Sequence, residues 1–284
     1  MPVIVQLRNV TTSEEVVDVL KVYTAQYSYN GPDRLDITVK GKHALGQVFA
    51  PTWDMVNAYK DGRMNEEQYE ADFHNLMIHR WQTNQAEWQQ LLNTDTVTLV
   101  CFEKPGQFCH RVLVAEYLEN CGAKYLGERP LTGVHVPVTK GDLLKVAEGV
   151  ICHQVNCKGK MGSGLALAIK NMYPSVYQAY MGRFEGGFLW VGNTFFDQVG
   201  PKLWVCSMCG QHEYGRGPRQ TNYRGLRNCL RMLRKWQAIH RHMFGEALQA
   251  YFPFKMSSDR AGGDWYLVSH MIKDVIKDAI ILRR

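Results

Sequence analysis

Along the chain, the clearest pattern is an unbroken apolar run that stops at a polar hinge. Residues 150–155 read as a buried strand, 156–164 as a glycine-rich turn and 165–171 as a helix where apolar positions resume. Short continuous runs of this kind belong to strands covered on both faces. The same transition recurs upstream. Residues 96–102 are a run of β-formers, 103–108 are polar, and 111–119 carry helical spacing. Residues 203–208 form a third strand, followed by a polar stretch and a long helix over 222–242. There Leu226, Leu230, Leu233 and Trp236 fall on one face.

The remaining elements fill in around these three. Strands are predicted at 3–7, 21–29, 35–39, 134–138, 190–196 and 247–252. A capped helix starts at 11–15, another begins at Pro51, and others cover 65–81, 85–92 and 175–180, the last opened by Pro174. Tyr69, Phe73, Met77 and Trp81 form an aromatic stripe of the sort that faces a core. A last helix over 264–276 has Asp264 as its N-cap. Strands alternating with helices predict an α/β class with two domains. Residues 1–127 form a Rossmann-like N-terminal domain, 128–133 a linker, and 134–284 a three-layer α/β/α domain on a mixed sheet.

Composition narrows the picture. The chain has 284 residues, 45% hydrophobic and 21% charged, which suits globular domains with large cores. A net charge of +6 permits a polyanionic partner without requiring one. No run reaches the roughly 18 apolar residues of a membrane span, and no signal peptide is apparent, so no membrane role and a cytoplasmic location are expected. Eight cysteines are then expected as free thiols. Cys206-Ser-Met-Cys209 lacks a second pair at zinc spacing, so neither metal nor cofactor is expected.

Two strand ends carry chemistry. After 150–155, Gly159, Gly162 and Gly164 allow left-handed backbone and close approach, and helix-start amides would point at an anion. This predicts a phosphate cradle. After 96–102, Cys101, Lys104, Cys109, His110 and Arg111 gather at a helix start. A thiolate at Cys109 would be stabilised there, and His110 and Arg111 could bind an anion.

Resemblance sharpens both. Ala50-Pro-Thr-Trp-Asp54, Glu103-Lys-Pro-Gly106, Cys109-His-Arg111 and Leu113 to Leu118 resemble the CHR-motif family of unknown function, DUF488. That resemblance implies a fold but no established activity. From 134 onward the chain resembles a macro domain, the ADP-ribose-binding fold. The resemblance implies that Asp142, in Lys140-Gly-Asp-Leu-Leu144, accepts a hydrogen bond from adenine beside Leu143. Asn156 would hold the distal ribose. Met161, Gly162, Ser163, Gly164 and Leu165 would form the first phosphate loop. Gln211 and Tyr214 would lie beside the ribose, and Ser257, Ser258, Asp259, Arg260, Ala261 and Gly262 would form the second loop.

Within macro domains, the motifs are most similar to the branch that includes ADP-ribose-1''-phosphate phosphatases. There a histidine at the His153 position is implicated in catalysis, and near-neutral pKa suits proton transfer. Asn156 and Asp264 join it as catalytic candidates. The segment before the long helix, 216–223, has arginines and no lysine, which departs from the hydrolase branch that uses one. Ser257-Ser-Asp259, followed by Arg260, stands where that family usually carries a Gly-Cys-Gly run, so Asp259 either points away, paired with Arg260, or acts on the distal ribose. The expected function is binding of ADP-ribose or a derivative and hydrolysis at its distal ribose: a 1''-phosphate first, an ADP-ribosyl bond second. The alternative is a non-catalytic reader of ADP-ribose. ADP-ribosylated protein or nucleic acid are the macromolecular partners implied.

Overall fold

In a computed structural model, residues 19–130, 135–215 and 217–284 are described. The chain divides into two compact units, Met1–Leu131 and Thr132–Arg284. The predicted strand at 3–7, the cap at 11–15, the last linker residues and Arg216 lie outside the described residues.

In the first unit the strands are β1 (Lys21–Gln26), β2 (Arg34–Asp36), β3 (Thr96–Cys101) and β4 (Lys124–Glu128). The helices are α1 (Ala44–Gln47), α2 (Trp53–Lys60), α3 (Glu66–Thr83), α4 (Gln85–Leu92) and α5 (His110–Asn120). The sheet order is β2-β3-β1-β4, and every pairing is parallel. β3 is therefore interior, and five of its six residues are buried. α2 starts two residues after its proline, because Thr52 is the N-cap and accepts from Met55 N. Asn65 and Gln68 form a full capping box on α3. The strand predicted at 35–39 stops at Asp36. β4, which has no counterpart in the periodicity, extends through Gly127 and Glu128.

In the second unit the strands are β5 (Thr139–Lys140), β6 (Gly149–Val155), β7 (Thr194–Gly200), β8 (Leu203–Cys209), β9 (Ala250–Pro253) and β10 (Ile280–Arg283). The helices are α6 (Gly164–Met172), α7 (Pro174–Glu185), α8 (Tyr223–Phe244) and α9 (Trp265–Val275). The sheet order is β5-β10-β9-β6-β8-β7, parallel except for the antiparallel β7–β8 pair. It is the mixed sheet expected. Residues 135–138 carry no strand, which begins only at Thr139. The strand predicted at 190–196 begins at Thr194, because 190–193 close a turn with Asn193 N donating to Trp190 O.

Period-two alternation along β8 separates the two helical layers. Val205, with Ile151 of β6, packs in one cluster with Ile169 of α6 and Val176 of α7. Trp204 points the other way and meets Trp236 of α8, on which Phe196 of β7 also stacks at 4.4 Å. The result is an α/β/α sandwich whose parallel strands β6 and β9 end at one edge, where the glycine turn and the 254–263 loop emerge.

Candidate functional site

In the second unit that edge holds a cleft of about 520 Å³. It is lined from β6 by His153, Gln154, Val155 and Asn156, and from the glycine turn by Lys160, Gly162, Ser163, Gly164, Leu165 and Ala166. Gln211, Tyr214, Gly215, and Pro253 through Ser257 with Asp259, Arg260 and Ala261 complete it. Two loops far apart in sequence thus face each other. Arg260 crosses between them: a Cβ placed on Gly164 would lie 3.7 Å from its Nε. Gly164, at φ +58°, opens α6 in a left-handed conformation that glycine adopts without strain. Ser163 is the N-cap but makes no side-chain cap bond, which leaves the first amides of α6 facing the cleft. At Gly162 an added Cβ would meet nothing within 4 Å.

The second loop is held in a strained shape. Lys255 and Ser257 have positive φ, +59° and +66°, without being glycine. Ser257 is fixed by three bonds: its hydroxyl donates to Gln154 Oε1 at 2.5 Å, and its carbonyl accepts from Thr221 Oγ1 at 2.6 Å and Gly263 N at 2.9 Å. Gln154 also donates to Gln211 Oε1 at 2.6 Å. One side chain at the end of β6 therefore ties together the second loop and the 211–215 segment. Gln154 was not singled out from the sequence. Its signal was available: strand alternation puts it on the opposite face from His153 at the last turn before the hinge.

Several predicted residues have other employment. Asn156 is 6% exposed; its amide donates to Lys160 O, and its Oδ1 accepts from Lys158 N, Lys160 N and the Tyr180 hydroxyl. It shapes the first loop. His153 is 1% exposed and hydrogen-bonds Ser207 Oγ at 3.0 Å, leaving Nδ1 buried and without a partner. Desolvation pushes its pKa down to about 4, so the near-neutral value expected for proton shuttling is corrected: His153 is uncharged at neutral pH. Asp264 caps α9, accepting from Tyr266 N at 2.8 Å, and does not line the cleft. Asp142 accepts from Leu144 N and from Arg284 at 2.6 Å and also lies outside the lining; Arg284 holds its pKa below the usual carboxylate range. Leu143 and Met161 are core residues. Ser258 and Gly262 do not line the cleft. Among the described residues no ion pair joins Asp259 to Arg260, so the first of the two arrangements anticipated for them is not found; both line the cleft and both are exposed.

In the first unit, a cavity of about 340 Å³ opens beside the end of β3. Its walls include Trp53, Tyr59, Phe102 and Phe108, with Lys40 and Lys60. Cys101, Glu103, Cys109 and His110 also line it. Both thiols donate to one carboxylate oxygen, Glu103 Oε2, from 2.9 and 3.0 Å. Glu103 was absent from the predicted set. Two predicted roles change. Burial and the neighbouring Cys101 push the Cys109 thiol well above its ordinary pKa, so the helix start does not yield the stabilised thiolate expected. Arg111 is fully buried and binds no free anion: it forks onto Glu128 at 3.0 Å and donates to the carbonyls of Glu103 and Lys104. Lys104 is exposed and does not line the cavity.

A family model described as the active DUF488-N3 subclade matches residues 4–122. The DNA ADP-ribosyl glycohydrolase of Mycobacterium tuberculosis is 32% identical over 101 residues, 34% of this chain and 28% of that protein. The enzyme of the same name from Thermus aquaticus is 37% identical over 62 residues, 22% of this chain and 17% of that one. The chain thus spans under a third of the length of these relatives. The macrodomain of M. tuberculosis DarG is similar in structure, with a TM-score of 0.44 and 21% identity over 54% of this chain and 99% of that one. Residues 4–122 are thus DUF488-like, and the second unit is similar to macro domains. No helix among the described residues is long and apolar enough to cross a membrane.

Proposed function

We propose that the macro domain binds ADP-ribose in the 520 Å³ cleft and hydrolyses the glycosidic bond joining its distal ribose to a nucleobase. The observation that carries the reading is the pair of facing loops at the carboxyl ends of β6 and β9. Residues 162–166 and most of 257–261 line the gap between the loops, where the first amides of α6 would be the donors to a diphosphate, Ser258 N being already bonded to Lys255 O. Crevices of this kind hold ligands in open α/β sheets. Lys160, Lys255 and Arg260 outnumber the single carboxylate Asp259 on the lining, which favours a dianion. The volume suits a ligand of this size. The relatives' shared name supports the glycosidic bond over the 1''-phosphate that resemblance alone put first.

Hydrolysis needs a group that activates water. His153 is buried and, with its pKa pushed down to about 4, is a weak base, and Asn156 is committed to its loop. Asp259 is the one carboxylate on the cleft lining, and we assign it the general base. The same commitments of His153 and Asn156, together with the absence of lysine from 211–223, favour a second reading: capture of ADP-ribose without turnover. Incubation with an ADP-ribosylated oligonucleotide and, separately, ADP-ribose-1''-phosphate decides. Free ADP-ribose released from the oligonucleotide, and lost in Asp259→Asn, is the predicted result. A ligand recovered intact but bound makes the domain a reader. Release from the 1''-phosphate alone returns the phosphatase reading, and no binding removes the cleft assignment.

A further inference from the structure

In the DUF488-like domain, His110 Nε2 lies 2.9 Å from the carbonyl oxygen of Ile37. A carbonyl only accepts, so Nε2 carries a proton, and in the neutral ring the lone pair is on Nδ1. That lone pair faces two sulfurs, Cys101 Sγ and Cys109 Sγ, each at 3.9 Å. The three potential ligand atoms lie within 4.8 Å of one another, and all three residues are buried. Glu103 Oε2 contacts both sulfurs. Ligating histidines characteristically donate their other nitrogen to a carbonyl or carboxylate, which fixes ring and tautomer.

We propose that Cys101, Cys109, His110 and Glu103 form a tetrahedral site for a soft divalent cation, zinc being the natural occupant. Bond lengths of about 2.3 Å to sulfur and about 2.0 Å to nitrogen or oxygen put tetrahedral ligand atoms roughly 3.5–3.8 Å apart. The two nitrogen–sulfur separations are close to that spacing. The shorter carboxylate contacts are S–H···O bonds of the protonated thiols. On binding, both thiols lose their protons to solvent, two metal–sulfur bonds form, and the carboxylate retreats by about half an ångström to become the fourth ligand. Thiolate with imidazole selects zinc over the harder cations. The neighbouring cavity gives the metal access to a ligand, and Glu103, on a turn, is the group such a ligand would displace.

The sequence hid this site because it has no spaced C-x-x-C. Its ligands come from a strand end, a turn, and the N-cap and first residue of a helix, an arrangement only the fold assembles.

The test uses the full chain, purified with reductant, loaded with zinc and desalted, then assayed for metal. One zinc per chain is expected. Cys109→Ser and His110→Ala should lower it to below about a tenth, and Glu103→Gln should weaken zinc at least about tenfold in a chelator competition. Cys209→Ser, in the macro domain, should retain the full load. Should the ligand variants fail to fold, cobalt(II) added to the wild type reads the site directly: thiolate-to-cobalt charge-transfer and tetrahedral d–d bands are expected. No cobalt bands and no retained zinc, or zinc retained in a folded Cys109→Ser, overturns the proposal.

Discussion

The two domains end their parallel strands in opposite ways. In the macro-domain-like unit the candidate edge is built from main chain: glycines, a helix start and a strained loop whose side chains mostly hold the backbone in place. In the DUF488-like domain it is built from side chains, with two thiols, a carboxylate and an imidazole gathered at the floor of an aromatic cavity. A backbone site tolerates replacement of most of its side chains but not of its glycines. A side-chain site depends on each member and on whatever orients it. The difference also decides how charge is handled. The cleft leaves cations exposed for a ligand, whereas the first domain satisfies its buried guanidinium internally.

That internal pairing gives the largest expected effect. Arg111 and Glu128 are both 0% exposed and joined at 3.0 Å, with Thr24 donating to Glu128 from 2.5 Å. Arg111→Ala should cost the first domain about 3–5 kcal/mol, since removing one partner strands a buried charge. Urea unfolding followed by the first domain's tryptophans should show it, with the macro-domain transition unmoved. A loss below about 1 kcal/mol would mean the pair does not organise the Glu103 turn.

The next effect belongs to the macro domain and to pH. His153 has a pKa near 4 when folded against 6.5 when free. The unfolded chain therefore binds the extra proton first, and stability falls as pH drops. The contribution is fully present above pH 6.5 and is lost progressively toward pH 4, reaching about 3 kcal/mol there. His153→Gln should flatten that part of the acid slope; identical slopes in the two proteins would remove the buried imidazole as its cause.

The smallest effect tests whether the backbone site needs its bracket. Gln154→Ala frees the Ser257 hydroxyl and Gln211. It should lower stability by about 1–2 kcal/mol and ADP-ribose affinity about tenfold. Unchanged affinity in calorimetry would show that the second loop keeps its shape unaided.

The contrast also explains what could be read before the fold was known. Glycine spacing and the strand-to-helix transition pointed to Gly162, Ser163 and Gly164, whereas the 257–261 loop was suggested only by resemblance; Ser257, Asp259, Arg260 and Ala261 line the same cleft. Helices were legible from their periodicity: α4 runs over Gln85–Leu92 as predicted, and α8, capped by Asn222, follows the apolar face read at 222–242. β10 was not, because Ile280–Arg283 is a four-residue strand among charges, and its place between β5 and β9 is set by pairing. The role of Gln154 depends on Thr221 and Ser257, which are distant in sequence. His153 looked like a titrating base because its residue type suggests one, while its pKa is set by burial that only the layered fold supplies. Glu103 was quoted in a motif yet overlooked as a partner of two thiols, since nothing in sequence spacing brings Cys101 and Cys109 to one oxygen.

Calorimetric titration of ADP-ribose into the wild-type chain and into Gly162→Leu tests the account's central claim most directly. The Cβ at 162 meets no protein atom within 4 Å, so the variant should melt with the wild type while its side chain fills the cradle. One-to-one binding by the wild type, weakened at least about a hundredfold in the variant (roughly 2.7 kcal/mol), is the prediction. Equal affinity in the two proteins, or no binding by a folded wild type, would contradict it.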